Sequence, residues 1–158
     1  MNNYKKEFMD EAIRLAEDNV YSGNGGPFGA VVVCGGKIIS RGVNMVTANN
    51  DPTAHAEIMA IREACNKLGW FEIKDCEIYS SCEPCPMCLG AIYWARPRAV
   101  YFAASRKDAA VAGFDDSYIY DELCNSIELR KIPTTHIVHE KSESPFKKWK
   151  ENGNKIPY

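Results

Sequence analysis

The sequence predicts a layered α/β fold built around a mixed β-sheet. Short runs rich in Val, Ile, Tyr and Phe alternate along the chain with longer segments whose apolar residues recur at helical spacing. Such interleaving of strands and helices is typical of layered α/β architectures. Gly35-Gly36 separates the first two strand-like runs and predicts a hairpin, so the sheet should contain an antiparallel pair.

Five segments are predicted as strands because each is a short β-rich run next to turn-forming residues. They are residues 29–34, 37–43, 76–81, 98–104 and 136–139. The predicted helices cover 5–21, a segment capped by Thr53, a segment starting near Pro84, 105–126 with a break at Gly113, and the short run 144–151.

Length and composition favour one domain over residues 1–158 and exclude several classes of protein. A hydrophobic fraction of 46% is too high for a disordered chain. No apolar run reaches the ~18 residues that a membrane-spanning helix needs. The charged N-terminal sequence lacks the apolar core of a secretion signal, which predicts a cytoplasmic protein. A net charge of −2 gives no electrostatic reason to expect a nucleic-acid partner.

Two short motifs, each at the predicted start of a helix, carry the candidate chemistry. Cys85 and Cys88 are three residues apart and so share one helix face, where the helix N-terminus favours their thiolates. With His55 they offer one nitrogen and two sulfur ligands, a set that suits Zn²⁺. Three protein ligands leave a fourth position for water, whose pKa zinc lowers to roughly 7. Glu57 is predicted to carry protons between that water and a substrate.

A competing interpretation makes the zinc site structural. Cys82 and Cys85 also have C-x-x-C spacing, and a fourth thiolate ligand would close the site. We favour Cys82 as a thiol at the end of a strand or in a loop, because Pro84 places the helix start after it. The remaining cysteines lie in apolar patterns and are predicted to be core residues; they are Cys34, Cys65, Cys76 and Cys124.

The order His55-Ala56-Glu57 followed by Pro84-Cys85-Pro86-Met87-Cys88 resembles the signature of the cytidine-deaminase superfamily of zinc nucleobase deaminases. Further segments are similar to the bacterial guanine deaminases of that superfamily. They are residues 25–33, 50–57, 81–97, the run "AGFDDS" at 112–117, "SPF" at 144–146 and the terminal tyrosine. The resemblance therefore extends over nearly the whole chain.

This resemblance implies a three-layer α/β/α fold with a mixed five-stranded sheet. It implies one Zn²⁺ per subunit and hydrolytic deamination of guanine to xanthine and ammonia, a reaction of purine metabolism. It also implies a homodimer in which a C-terminal segment, about residues 141–158, crosses to the partner and covers its active site as a lid.

The resemblance also assigns substrate contacts. Asn44 would face the imidazole edge of the purine, Phe28 and Trp94 would surround the ring, and Asp116 and Tyr158 would recognise guanine. Ala56, between His55 and Glu57, would also lie at the substrate. Four of these residues also have an ordinary structural alternative. Asn44 would then be a turn residue, Trp94 a core aromatic, Asp116 a helix cap and Tyr158 part of a frayed tail.

Other functions remain open on the sequence. A tRNA-adenosine deaminase would need a basic surface near the site and room for a flipped nucleotide. The run "FKKWK" at 146–150 is basic and aromatic, although it also fits a solvated helix face. A guanosine or cytosine deaminase would use the same zinc chemistry with a pocket of different size. A non-catalytic zinc module would use Cys82 as its fourth ligand, and Glu57 would then have no role in it.

Overall fold

A computed structural model describes residues 4–158, and these residues fall into two compact units. The first unit ends at Ser117 and contains the whole β-sheet. The second unit runs from Tyr118 to Tyr158 and contains only short helices and loops. No helix of the described chain is both long enough and apolar enough to cross a membrane.

The elements follow one another in an alternating order that agrees with the sequence prediction. In chain order they are α1 (Lys6–Ser22), β1 (Gly29–Cys34), β2 (Lys37–Val43), α2 (Val46–Asn49), α3 (Ala56–Leu68), β3 (Cys76–Cys82), α4 (Pro86–Ala95), β4 (Ala99–Ala104), α5 (Arg106–Val111), α6 (Ser117–Cys124), a 3₁₀ turn (Ile127–Leu129) and α7 (Ser144–Glu151).

The sheet is mixed, with strand order β2-β1-β3-β4. Strand β1 is antiparallel to both β2 and β3, whereas β3 and β4 are parallel. The predicted fifth strand is wrong for the described chain, because residues 136–139 form no strand and the sheet has four. Ile137 and Val138 are 71% and 88% exposed. A run of β-forming residues becomes a strand only where a partner edge supplies its backbone hydrogen bonds.

Helices pack on both faces of the sheet, which gives the three α/β/α layers. On one face, Phe8 and Met9 of α1 join Val31 and Val33 in one buried cluster. On the other face, α3 and α4 pack against residues such as Val32. Because successive strand residues point to opposite faces, β1 is buried on both sides and has a continuous apolar sequence.

Gly42 allows α3 to lie close to β2. A Cβ atom at this position would overlap the carbonyl oxygen of Ala56 and crowd the backbone of Ala60. The contact lies at the N-terminal end of α3, beside His55 and Glu57. The absence of a side chain at Gly42 therefore helps to determine where this end of the helix sits.

The helix starts differ from the prediction by a few residues. His55, not Thr53, is the N-cap of α3, and Cys85 caps α4 with Pro86 at the first helical position. The Thr53 side chain hydrogen-bonds to Asp51 instead, within the preceding turn. The break predicted at Gly113 is confirmed, because this residue has a φ of 93° and follows the end of α5.

The structure corrects the prediction that the four cysteines outside the motifs are simple core residues. Cys34 and Cys76 face each other across the antiparallel β1–β3 pair, with Cα atoms 4.3 Å apart, and form a disulfide. Directly opposed positions of this kind are close enough for side chains to meet. Cys124 is exposed on α6 and not in the core, and Cys65 is only partly buried.

Candidate active site

His55, Cys85 and Cys88 form a cluster whose potential ligand atoms all lie within 4.8 Å of one another. His55 Nδ1 is 3.5 Å from the Sγ atom of each cysteine. Metal–ligand distances of ~2.1 Å for nitrogen and ~2.3 Å for sulfur at tetrahedral angles would separate these atoms by about 3.6 Å. The three donors are therefore already spaced to fit one zinc ion.

The two helix starts bring these donors together. His55 caps α3, and Cys85 caps α4 by accepting a 3.5 Å hydrogen bond from the backbone N–H of Cys88. The hydrogen bond with Cys88 and, to a smaller extent, the hydrogen bond with His55 lower the pKa of Cys85 to about 4. The hydrogen bond with Cys85 raises the pKa of His55. A thiolate at a helix N-terminus is a good metal ligand, so the arrangement favours cation binding.

Glu57 lies beside the cluster in the first turn of α3 and is only 6% exposed. Its Oε1 accepts a 3.3 Å hydrogen bond from Ser80 Oγ, and its Oε2 accepts one of 3.4 Å from Cys88 Sγ. Burial raises the pKa of Glu57 above its ordinary value. A buried carboxyl group with a raised pKa takes up a proton more readily than an exposed one, which suits a proton carrier.

A cavity of about 370 Å³ opens beside this cluster and lies entirely within the first unit. Six of the predicted site residues line this cavity: Phe28, Asn44, His55, Glu57, Cys85 and Asp116. Cys88, the seventh, is completely buried beneath them in the metal cluster. The cavity thus joins a metal site, a proton carrier and polar side chains from distant parts of the sequence.

Asn44 presents a donor to the cavity. Its Oδ1 accepts 3.2 Å hydrogen bonds from the backbone N–H groups of Gly26 and Val46. The amide orientation follows, because two N–H donors require an oxygen acceptor. Within the described chain, Asn44 Nδ2 makes no hydrogen bond and is left to a ligand. Asn44 is only 5% exposed, so this donor is held in one place.

Asp116 presents an acceptor, and two phenylalanines supply an apolar wall. Burial, followed by the nearby Cys85 sulfur, raises the pKa of the Asp116 carboxyl group. Phe28 and Phe114 contact each other edge to face, with ring centroids 5.0 Å apart. A cavity with a flat apolar wall, one amide donor and one carboxylate acceptor can hold a planar ring that carries both acceptors and donors.

Ala56, Trp94 and Tyr158 are the predicted substrate contacts that are not among the residues lining this cavity. Ala56 is completely buried at the start of α3. Trp94 lies on α4 and is 63% exposed, so it is not the core aromatic that the alternative interpretation required. Tyr158 belongs to the second unit, where its ring contacts that of Trp149.

The sequence interpretation missed several residues that line the cavity. They are Gly26, Val46, Thr47, Glu83, Arg106, Ala109, Gly113, Phe114 and Asp115. Phe114 and Asp115 lie inside "AGFDDS", so that motif carried a signal for them. Arg106 had none, because its place in the cavity depends on how α5 follows β4.

Cys82 lines the same cavity without joining the metal cluster. It ends β3, as predicted, and its thiol donates a 3.7 Å hydrogen bond to the Ser105 carbonyl oxygen. Burial raises the pKa of Cys82 to about 11, so its thiol stays protonated. Among the described residues, the donors grouped for a metal are those of His55, Cys85 and Cys88. A three-ligand site leaves a coordination position open, which is the catalytic arrangement.

Comparison with known proteins agrees with this geometry. Residues 2–104 match the model of the cytidine and deoxycytidylate deaminase zinc-binding region. The chain belongs to the cytidine and deoxycytidylate deaminase family. As a member of this zinc-dependent deaminase family with a His-Cys-Cys donor set, it binds one zinc ion per subunit. It is an enzyme of the hydrolytic deaminase class.

Among relatives of this deaminase, guanine deaminase of Bacillus subtilis (strain 168) is 55% identical over 151 residues, which cover 96% of the chain and 97% of the relative. The X-ray structure of the B. subtilis guanine deaminase superposes with a TM-score of 0.95 over 100% of the chain and 99% of that structure, at 54% identity. The tRNA-specific adenosine deaminase of Aquifex aeolicus is 42% identical but covers 65% of the chain and 68% of the relative.

A structure of guanine deaminase from Nitrosomonas europaea is more distant. It superposes with a TM-score of 0.67 and 33% identity, covering 72% of the chain and 65% of that structure. These likenesses confirm a cytidine-deaminase-like α/β fold with a mixed sheet.

Proposed function

We propose that this deaminase converts guanine and water to xanthine and ammonia in a zinc-dependent reaction. The observation that carries the proposal is the cavity that joins the His55, Cys85 and Cys88 cluster to Glu57, Asn44 and Asp116. Similarity to the B. subtilis guanine deaminase over nearly the full length of both chains supports the same substrate. The tRNA-specific relative covers only part of the chain, which makes a tRNA substrate the weaker alternative.

In this proposal, His55, Cys85 and Cys88 hold the zinc ion. When bound, zinc supplies an activated water at neutral pH by lowering the pKa of that water. Glu57 accepts a proton from the attacking water and transfers one to a ring nitrogen. Once the water oxygen has bonded to the ring carbon, Glu57 takes the second proton from this new hydroxyl group and delivers it to the departing amino group, so that the C–N bond breaks, a C=O bond forms and ammonia leaves. The raised pKa of Glu57 suits both directions of transfer.

Asn44 and Asp116 provide the proposed specificity. Guanine carries ring N–H donors as well as acceptors, so Asp116 can accept from the base while Asn44 Nδ2 donates to it. Adenine and cytosine present a different pattern of donors and acceptors, which would leave the buried Asn44 or the partly buried Asp116 without a partner. A site that hydrogen-bonds one pattern of donors and acceptors rejects analogues strongly for that reason.

The test of function is ammonia release by the zinc-loaded protein from guanine, guanosine, adenine, cytosine and a tRNA anticodon stem. We expect ammonia from guanine alone, with xanthine appearing in the ultraviolet spectrum. The Glu57→Gln variant provides the background rate. Ammonia from another member of the panel would overturn the guanine assignment while keeping the zinc chemistry. Ammonia from none of them would overturn the proposed function.

We also propose a homodimer, in which residues 141–158 of each subunit cover the active site of the partner as a lid. Three features support it. The segment 136–139 is β-rich but exposed, and β4 lies at the sheet edge with Phe102 48% exposed. Helix α4 exposes Tyr93 and Trp94. No residue of 118–158 is buried in one chain, so this unit lacks a core. The single-domain and cytoplasmic predictions stay predictions.

Mixed dimers test the lid. A Glu57→Gln subunit keeps the proposed lid but lacks the proton carrier. A Tyr158→Ala subunit keeps the proton carrier but has a defective lid. We expect each variant alone to be inactive and the refolded mixture to regain activity, because one site of each hybrid would be complete. No recovery in mixtures that light scattering shows to be dimeric would contradict the exchange. A monomeric wild-type protein would contradict the dimer itself.

A further inference from the structure

The buried amide of Asn19 connects two loops that border the cavity. Asn19 lies in the last part of α1 and is only 3% exposed. Its Nδ2 donates to the carbonyl oxygen of Gly26 at 2.8 Å and to that of Asn44 at 2.9 Å. Both hydrogens of the amide are therefore used, and each holds a different loop. Gly26 and Asn44 both line the cavity.

The orientation of the Asn19 amide is itself determined. The single hydroxyl hydrogen of Ser22 is shared between two acceptors of Asn19, the carbonyl oxygen at 2.8 Å and Oδ1 at 2.9 Å. Because Oδ1 accepts this bond within the helix, Nδ2 is directed toward the two loops. A fully satisfied buried amide of this kind rigidifies its surroundings, whereas a partly satisfied one is costly.

The same two loops determine the orientation of the Asn44 side chain. Gly26 N–H donates to Asn44 Oδ1, and a Cβ at Gly25 would overlap that oxygen atom. The position of the Gly25-Gly26 loop relative to the Asn44 backbone therefore sets where the Asn44 side chain points. Asn19 hydrogen-bonds both to this loop, at Gly26, and to the backbone of Asn44, although Asn19 does not itself line the cavity.

We propose that Asn19 is a positioning residue for substrate binding, which acts by holding Gly26 and Asn44 so that Asn44 Nδ2 faces the base. This inference rests on the proposed function, in which Asn44 donates to the substrate. The Asn19 side chain hydrogen-bonds to Gly26, Asn44 and Ser22, whereas the zinc ligands and Glu57 lie in or cap α3 and α4. Its loss should therefore alter KM more than kcat.

The test is a double-mutant cycle in the zinc-loaded enzyme, with Asn19→Ala, Asn44→Ala and the double variant. We expect Asn19→Ala to raise KM for guanine roughly tenfold with unchanged zinc content, since small misplacements of binding groups have effects of this size or larger. In the double variant, KM should match that of Asn44→Ala alone, because Asn19 acts through Asn44. An unchanged KM for Asn19→Ala, or effects that multiply in the double variant, would overturn the inference.

Two further variants distinguish an effect on substrate binding from an effect on the stability of the protein. Tyr79→Phe removes a different hydrogen bond to α1, the 3.1 Å bond from Lys5 N to Tyr79 Oη, and should lower Tm without changing KM. Ser22→Ala releases Asn19 Oδ1 and should raise KM less than Asn19→Ala does. Ser22→Ala also provides the test if Asn19→Ala fails to fold, and an unchanged KM would then count against the inference.

The proposed function and this inference fail separately. If the wild-type protein releases no ammonia from guanine, the proposed function is wrong whatever the variants do. The cycle is then carried out with the panel member that does release ammonia, because any planar base in this cavity meets the same loops. A loss of substrate affinity confined to the variants would still support the role of Asn19.

Discussion

Ser80 on β3 donates a 3.3 Å hydrogen bond to the buried carboxylate of Glu57 on α3. Ser80 is 2% exposed and Glu57 6%. The contact connects the proposed proton carrier to the central sheet, and the other carboxylate oxygen lies 3.4 Å from Cys88 Sγ on α4. Glu57, on α3, therefore lies between groups of two other elements, β3 and α4, which limit the positions of its carboxylate.

Replacing Glu57 tests the proton carrier. We expect Glu57→Gln to lower kcat by roughly 10²–10⁴-fold or more, because the amide cannot accept the proton of the attacking water. Zinc content should be unchanged, since Glu57 is not one of the three ligands. Ammonia release and atomic absorption on the same sample measure both quantities. Wild-type turnover by Glu57→Gln would contradict the mechanism.

Replacing Ser80 tests the orientation of that carboxylate. We expect Ser80→Ala to lower kcat two- to tenfold. This decrease corresponds to the ~0.5–1.5 kcal/mol that one hydrogen bond contributes. Ser40→Ala is the matched control, because Ser40 is equally buried and its Oγ donates to the Ala60 carbonyl oxygen at 2.7 Å. The control should lower stability and keep kcat. Equal losses of kcat in the two variants would show that Ser80 acts only on stability.

A pair of cysteine substitutions decides between an open and a closed zinc site. We expect Cys82→Ser to keep its zinc, because the Cys82 thiol is hydrogen-bonded to Ser105 and lies outside the ligand cluster. Cys85→Ser makes the same chemical change at a ligand and should lose most of the metal. Zinc content after gel filtration measures the difference. Loss of zinc from Cys82→Ser would favour the structural alternative.

Glu11 provides a pH-dependent contribution to stability outside the site. It accepts hydrogen bonds from Arg14 Nε at 2.8 Å and from Arg41 Nε on β2 at 2.6 Å, which together lower its pKa from 4.5 to about 2. We expect Glu11→Gln to reduce the free energy of unfolding at pH 7 by about 1 kcal/mol, as for a surface ion-pair network. Urea unfolding measures this difference.

The sign of that effect follows from the direction of the pKa shift. Because the folded pKa is the lower one, the contribution is complete above about pH 4.5 and is lost as the pH falls toward about 2. The difference between wild type and Glu11→Gln should shrink over that interval. Asp10→Asn, which removes an exposed pair with Lys6, is the control and should show a smaller difference. A difference that grows in acid would contradict the assignment.

Local sequence determined the chemistry of the site. His55, Cys85 and Cys88 were identified without the structure because each ligand lies at the start of a helix whose signals are close by in the chain. The Pro at the start of α4 and the three-residue spacing act within one helical turn. The strands of the hairpin were predicted for the same reason, since Gly35-Gly36 and the β-rich runs beside it are contiguous.

Tertiary structure alone decided which distant residues meet. The Cys34–Cys76 disulfide, the Ser80–Glu57 hydrogen bond and the contacts of Asn19 with Gly26 and Asn44 depend on strand register and on how closely helices approach the sheet. Such contacts form only after long loops close, and no local pattern records them. The segment 136–139 shows the converse, because its β-rich sequence is not sufficient without a partner edge. The sequence thus specified the reacting groups, and packing specified their neighbours.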